Sequence, residues 1–231
     1  MNNMVELVFI IDKSGSMAGL ESDTIGGFNA TIKRHKKDKK NKAYVTTILF
    51  NTNFDMIHDR VELSEIKQMT ESDYEVSGST ALLDAVGETI EHIKSIHKYA
   101  RPEDVPGKTL FVIITDGMEN ASHKYDHYQI KSMISAMREE KNWEFIFLGA
   151  NIEAEEVAES YGILKERSVN YHSDKMGTKA AWASIDSAVK CCMESRSCCE
   201  SLGEVDWKKA IKEDRKKRQI HKYDVDDEDA A

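Results

Sequence analysis

Four nearly continuous apolar runs constrain this chain most: MVELVFII at 4–11, AYVTTILF at 43–50, TLFVIIT at 109–115 and WEFIFLG at 143–149. They are rich in β-branched and aromatic residues and lack strict alternation, so they read as strands buried on both faces, the habit of parallel sheets. A fifth run, FDMIHDRVE at 54–62, follows the second through Asn51, Thr52 and Asn53, a hairpin-type connection. Between the runs the period changes to that of a helix. Ile25, Phe28 and Ile32; Leu82, Val86, Ile90 and Ile93; Ile130, Met133, Ile134 and Met137; Ala154, Val157, Ala158 and Tyr161; and Trp182, Ile185 and Val189 each form a stripe for one face of a sheet. Strand alternating with helix predicts an α/β sandwich, mostly parallel, with one antiparallel strand.

With 231 residues, 40% hydrophobic and 32% charged, the chain is long enough for one sizeable core plus an appendage. A net charge of −9 disfavours non-specific attraction to nucleic acid or anionic membrane. No apolar run approaches the roughly 20 residues that span a bilayer, and the first strand starts too early for a cleavable leader, so the expectation is a cytoplasmic protein. All four cysteines sit at Cys191, Cys192, Cys198 and Cys199, which leaves the rest of the chain unstapled and fits a reducing compartment. After about Gly203 a basic block passes into an acidic one with few apolar residues. The expected organisation is a domain over 1–200 and a charged, mobile tail over 201–231.

Ligands of open parallel sheets bind in the loops at the carboxyl ends of the strands. The first strand runs directly into DKSGS, placing Asp12, Ser14 and Ser16 at alternate positions. SGST puts Thr80 at a helix start, and TLFVIITDG ends an inner strand on Asp116 with Gly117 to turn the chain. Hydroxyls and carboxylates without His or Cys form a hard-oxygen set, suited to Mg²⁺ or Mn²⁺ rather than Zn²⁺ or Cu²⁺. Only two of the five are carboxylates, so a bound cation keeps an appetite for an external anionic oxygen.

Asp12-x-Ser14-x-Ser16, Thr80 within Gly-Ser-Thr, and Thr115-Asp116-Gly117 resemble the complete metal-ion-dependent adhesion site of von Willebrand factor type A (VWA) domains, with matching strand and helix order from about residue 4 to 190. The resemblance implies a Rossmann-like three-layer sandwich with Mg²⁺ at its top, Mn²⁺ or Ca²⁺ being alternatives. It implies Ser14, Ser16 and Thr80 as direct ligands, Asp12 and Asp116 acting largely through water, and a partner's Asp or Glu completing the coordination. In relatives the last helix moves when the site is engaged, a role that would fall here on residues 174 to about 193.

Other signals are weaker. D-x-S-x-S also opens an EF-hand loop, but the sixth position is Met17 and the twelfth is Asp23. Thr80 doubles as a candidate helix cap, and Glu119 and Asn120 are near enough to Asp116 to touch a metal or partner. His123 and His127 lack the glutamate of a zinc helix and read as exposed. The run KRHKKDKKNK at 33–42 reads as a solvated helix end. A helix continuous through residue 199 would hold Cys192 and Cys199 about 10.5 Å apart, too far for a disulfide; Cys192 extends the last apolar stripe, and a break at ESRS would permit a metal cluster. The favoured function is non-enzymatic: an intracellular adaptor docking a protein carboxylate on a metal. The alternatives are a metal-dependent phosphohydrolase with Asp12 as nucleophile, disfavoured because no second carboxylate follows two residues on, and an RNA-associated scaffold using the basic segments.

Overall fold

The computed structural model describes residues 3–37 and 41–228, with side chains through residue 220. Six strands, β1 (Val5–Asp12), β2 (Ala43–Phe50), β3 (Phe54–Glu62), β4 (Lys108–Thr115), β5 (Glu144–Gly149) and β6 (Ser168–Asn170), form one sheet in the order β3-β2-β1-β4-β5-β6. All neighbours are parallel except β2 and β3, the hairpin expected at Asn51–Asn53. The helices are α1 (Glu21–His35), α2 (Leu82–Tyr99), α3 (His127–Lys141), α4 (Ala154–Ser160), α5 (Lys175–Glu194), α6 (Cys198–Glu204) and α7 (Lys209–Glu228).

Alternation along β1 explains its nearly continuous apolar run. Leu7, Phe9 and Ile11 pack with Phe28 and Ile32 of α1 and Trp182, Ile185 and Val189 of α5. Val8 and Ile10 point the other way, to Leu82, Val86 and Ile90 of α2 and Ile130 and Ile134 of α3. Each side of the sheet is therefore covered by helices, and the two polar residues of the strand are buried with partners of their own, Glu6 with Arg60 and His97, Asp12 with Thr115 and the Ser14 N–H. The three-layer α/β fold is the one expected.

Two features differ from the sequence reading. The first is β6, three residues long, which extends the sheet by pairing with Phe147, Leu148 and Gly149; so short a strand leaves no apolar run to detect. The second is the segment from residue 201, expected as a separate tail. The boundary at residue 200 falls inside α6, and Trp207 and Ile211 are buried in the same core as α1 and α5. Arg215 donates to the Asn170 carbonyl at 2.7 Å, and Arg218 donates twice to the Asp174 carboxylate, at 2.6 and 2.8 Å. Two apolar anchors four residues apart, plus cations aimed at backbone and carboxylate, fasten a helix whose composition alone reads as solvated. The middle of the basic run, residues 38–40, and the chain end at 229–231 lie outside the described residues.

The break at ESRS is real: α5 stops at Glu194 and α6 begins at Cys198. Cys192 and Cys198 are both buried in the core, Cys199 is exposed, and all four thiols are free. The end of α5 is capped from the sheet, because the buried Lys108 ammonium donates to the carbonyls of Cys192, Met193 and Ser195 at 2.8, 3.3 and 2.7 Å.

Trp207→Ala is expected to cost about 3–5 kcal/mol of stability in urea unfolding, the loss typical of a buried tryptophan and not of a solvated tail. The Asp174 carboxyl is held down to about 2, chiefly by the Arg218 guanidinium. A depressed carboxylate stabilises the fold above its unfolded pKa and loses that contribution in acid. The stability gap between wild type and Arg218→Gln is therefore expected to close as pH falls from about 4 to about 2, read by circular dichroism against denaturant.

Candidate metal centre

Asp12, the last residue of β1, is fully buried, and hydrogen bonds fix its carboxylate on both oxygens. The Ser14 backbone N–H donates to Oδ1 at 2.7 Å, and the Thr115 hydroxyl at the end of β4 donates to Oδ2 at 2.5 Å. The Tyr74 hydroxyl also donates to the Asp12 backbone carbonyl. Beyond Asp12 the chain makes a single helical turn, Gly15–Met17, which sets the Ser14 and Ser16 hydroxyl oxygens 3.1 Å apart. Backbone bonds from Gly15 to the Gly78 carbonyl and from Ser77 to the Lys13 carbonyl join this loop to the one that carries Thr80.

Thr80 is placed by its neighbours across the edge. Its N–H donates to Asn120 Oδ1 at 2.9 Å, and its carbonyl accepts from the N–H groups of Asn120 and Ala121. A Cβ built on Gly117 would lie 3.0 Å from Ser16 Oγ and 3.3 Å from Thr80 Oγ1, so these two hydroxyls converge over Gly117 and a side chain there would crowd both. Asp116 is buried beside them, its Oδ2 accepting from the Ser173 hydroxyl at 3.0 Å. Its Oδ1 is buried without a hydrogen-bond partner among the described residues.

The electrostatics follow from burial. The Asp12 carboxyl is pushed up to about 6, first by desolvation, against the opposing hydrogen bonds from Thr115 and Ser14, with the Asp116 charge adding to the rise. Burial pushes the Tyr74 and Tyr171 phenols well above their usual range, and the two carboxylates add to that shift. Lys13 pairs instead with Asp55 at 2.8 Å. Two buried carboxylates, three neighbouring hydroxyls and an orphaned acceptor oxygen fit a small, hard divalent cation. Among the described residues no three His, Cys, Asp or Glu side chains cluster as a metal site.

The five residues singled out by spacing thus stand at one edge of the sheet, on three loops. Thr80 does not cap α2: the cap position is Ala81, which makes no side-chain cap bond. That work falls to Glu119, whose carboxylate accepts from the N–H of Leu83 and from Ala121 and Ser122. Glu119 is therefore committed to holding α2, and Asn120 to holding Thr80. His123 and His127 are both exposed, His127 lying against the Tyr161 ring. Ser173, which holds Asp116, was missed because it follows β6, the strand the sequence does not announce.

No protein-family model and no curated protein sequence matches this chain. Solved structures do. The PilB minor pilin from Streptococcus sanguinis superposes with a TM-score of 0.57 at 10% identity, covering 80% of this chain and 61% of that one. The ArnB paralog VWA2 from Sulfolobus acidocaldarius gives 0.53 at 16% identity, covering 80% and 44%. Proximal thread matrix protein 1 from the mussel byssus gives 0.53 at 11%, covering 79% and 45%. The chain spans about half the length of these structures, and at such identities the likeness concerns the fold. With a six-stranded sheet, one antiparallel pair and helices on both faces, that fold is VWA-like.

Proposed function

We propose that the chain is a metal-dependent protein-binding module of the cytoplasm, in which Ser14, Ser16 and Thr80, with Asp12 and Asp116 behind them, hold Mg²⁺ and thereby dock an Asp or Glu carboxylate of a protein partner. Mn²⁺ or Ca²⁺ serves the same donor set. The observation that carries this reading is the orphaned Asp116 Oδ1, buried beside two converging hydroxyls and a second buried carboxylate. A cation held largely by neutral oxygens supplies a Lewis-acidic position for an external anion. The VWA-like fold supports protein interaction as the role, and the free cysteines fit a reducing compartment.

The chain's own residues do the positioning. Thr115 and the Ser14 N–H orient Asp12, Asn120 sets Thr80, and Ser173 holds one oxygen of Asp116 while the other stays open. This arrangement favours binding over turnover, because an Asp12 nucleophile would have to give up both of its short hydrogen bonds. Net charge of −9 supports a protein partner over nucleic acid, and among the described residues no helix is long and apolar enough to cross a membrane.

Calorimetric titration of chelator-treated protein with Mg²⁺ and Mn²⁺ tests the proposal. Saturable binding is expected in the wild type, strengthened by a soluble carboxylate and abolished in Thr80→Ala; wild-type protein that takes up neither ion with the carboxylate present would refute it. Stability should move the opposite way. A carboxyl raised from 3.8 to about 6 destabilises the metal-free fold as pH rises through that window. Asp12→Asn removes that cost, on the order of 3 kcal/mol at neutral pH, so the metal-free variant is expected to melt no lower than wild type while losing metal binding. A large drop in melting temperature would mean that the hydrogen bonds Asp12 organises outweigh the cost of burying its charge.

A further inference from the structure

Large apolar side chains are left exposed at the same edge. Met118, two residues past Asp116, is 68% exposed, Tyr128 in the first turn of α3 is 81% exposed, and Met176 in the first turn of α5 is 61% exposed. Ile220, at 59%, lies two residues beyond Arg218, the residue that clamps the α5 cap residue Asp174. Scattered exposed apolar residues need no explanation, but one that lines a cleft, as Met118 does, offers an apolar contact to a docking surface. Methionines suit such a surface because they repack against varied partners.

Beside Met118 a cleft of about 1000 Å³ opens between the Asp116 loop, the segment leading into α4, and α7. Ile152 and Val157 give one wall its apolar character, and Arg215 and Gln219 form the other. None of the five candidate metal residues lines the cleft, but its lining is tied to the strand end and loop that carry Asp116. Asn151 on its rim donates to the Asp116 carbonyl at 3.3 Å, and Tyr171 within it lies 3.4 Å from the Thr115 carbonyl. Its charges are unequally committed. Arg218 is taken by Asp174 and Asp214, whereas Arg215 donates only to a backbone carbonyl and pairs with no carboxylate among the described residues. Glu153 and Glu156 line the side toward α4, so an acid entering the cleft is repelled there and drawn to the α7 wall.

We infer that this cleft is the specificity groove of the docking site and receives an extended protein segment of defined order: the metal-binding Asp or Glu, then an apolar side chain against Met118, Ile152 and Val157, then an acidic side chain on Arg215. The inference rests on the docking function proposed above and adds the partner's chemistry. It also gives α7 a purpose, since that helix supplies the groove's one arginine that pairs with no carboxylate among the described residues.

The test is selection of a phage-displayed library of random short peptides on the immobilised full chain in Mg²⁺. Enriched peptides are then titrated by fluorescence anisotropy against wild type, Thr80→Ala, Met118→Ser, Arg215→Gln and Arg215→Glu, with melting temperatures recorded for each. The expected result is an acidic, apolar, acidic pattern, with Met118→Ser weakening binding about tenfold at unchanged melting temperature, and Arg215→Gln about tenfold and Arg215→Glu more, with melting lowered only by the loss of the single bond to the Asn170 carbonyl. Peptides that need Mg²⁺ and Thr80 but bind Met118→Ser and Arg215→Gln like wild type would overturn the groove and leave the metal reading standing. Peptides that depend on Met118 and Arg215 yet bind equally in chelator would uphold the groove and overturn the metal reading. Failure to enrich any peptide counts against the groove.

Discussion

A carboxylate buried at the end of the central strand governs the rest of this structure. Asp12 sits where β1, flanked by β2 and β4, leaves the sheet, and water cannot reach it. A buried charge of this kind is tolerated only with hydrogen-bond donors arranged around it. Thr115 comes from the neighbouring strand, the Ser14 N–H from the turn just beyond, and Tyr74 from the long connection between β3 and α2 fastens the backbone carbonyl. Satisfying one side chain thus fixes the relative positions of three segments distant in sequence. The hydroxyls of Ser14, Ser16 and Thr80 are carried along by those segments, so the geometry of the candidate site follows from solving the burial of Asp12.

That logic explains which parts were legible in the sequence. Strands β1, β2, β4 and β5 announce themselves because both their faces are buried, and every residue of each except Tyr44 is buried. The loops at their ends were legible because Asp, Ser and Thr interrupt apolar runs abruptly. What stayed hidden depends on tertiary pairing. Ser173 has no local signature as a partner of Asp116; it acquires that role only because β6 adds to the edge next to β5. Glu119 was close enough to Asp116 to pass for a ligand, and only its bonds to the start of α2 reveal an anchoring task. Chain proximity to a site identifies a neighbourhood; the direction of the hydrogen bonds identifies the duty.

The charged segment past Gly203 teaches the same lesson about composition. Mean polarity favours solvation, yet two apolar side chains, Trp207 and Ile211, find the core shared by α1 and α5. The charges around them are engaged as well. Arg167, itself buried, pairs with Glu144 and donates to the Cys199 and Leu202 carbonyls, which anchors α6. Cations directed at backbone carbonyls let polar sequence pack without a large apolar face.

Lys108 has a mechanical consequence. Its ammonium, fixed to β4, binds three carbonyls at the lower end of α5, while Asp174 at the upper end is clamped by Arg218. Hydrogen bonds to a charged group contribute roughly 1.5–3 kcal/mol each, and sliding α5 along its axis would rupture all three at the lower end together. The helix is thus held at both ends. Any displacement of α5 along its axis must first break these charge-assisted bonds.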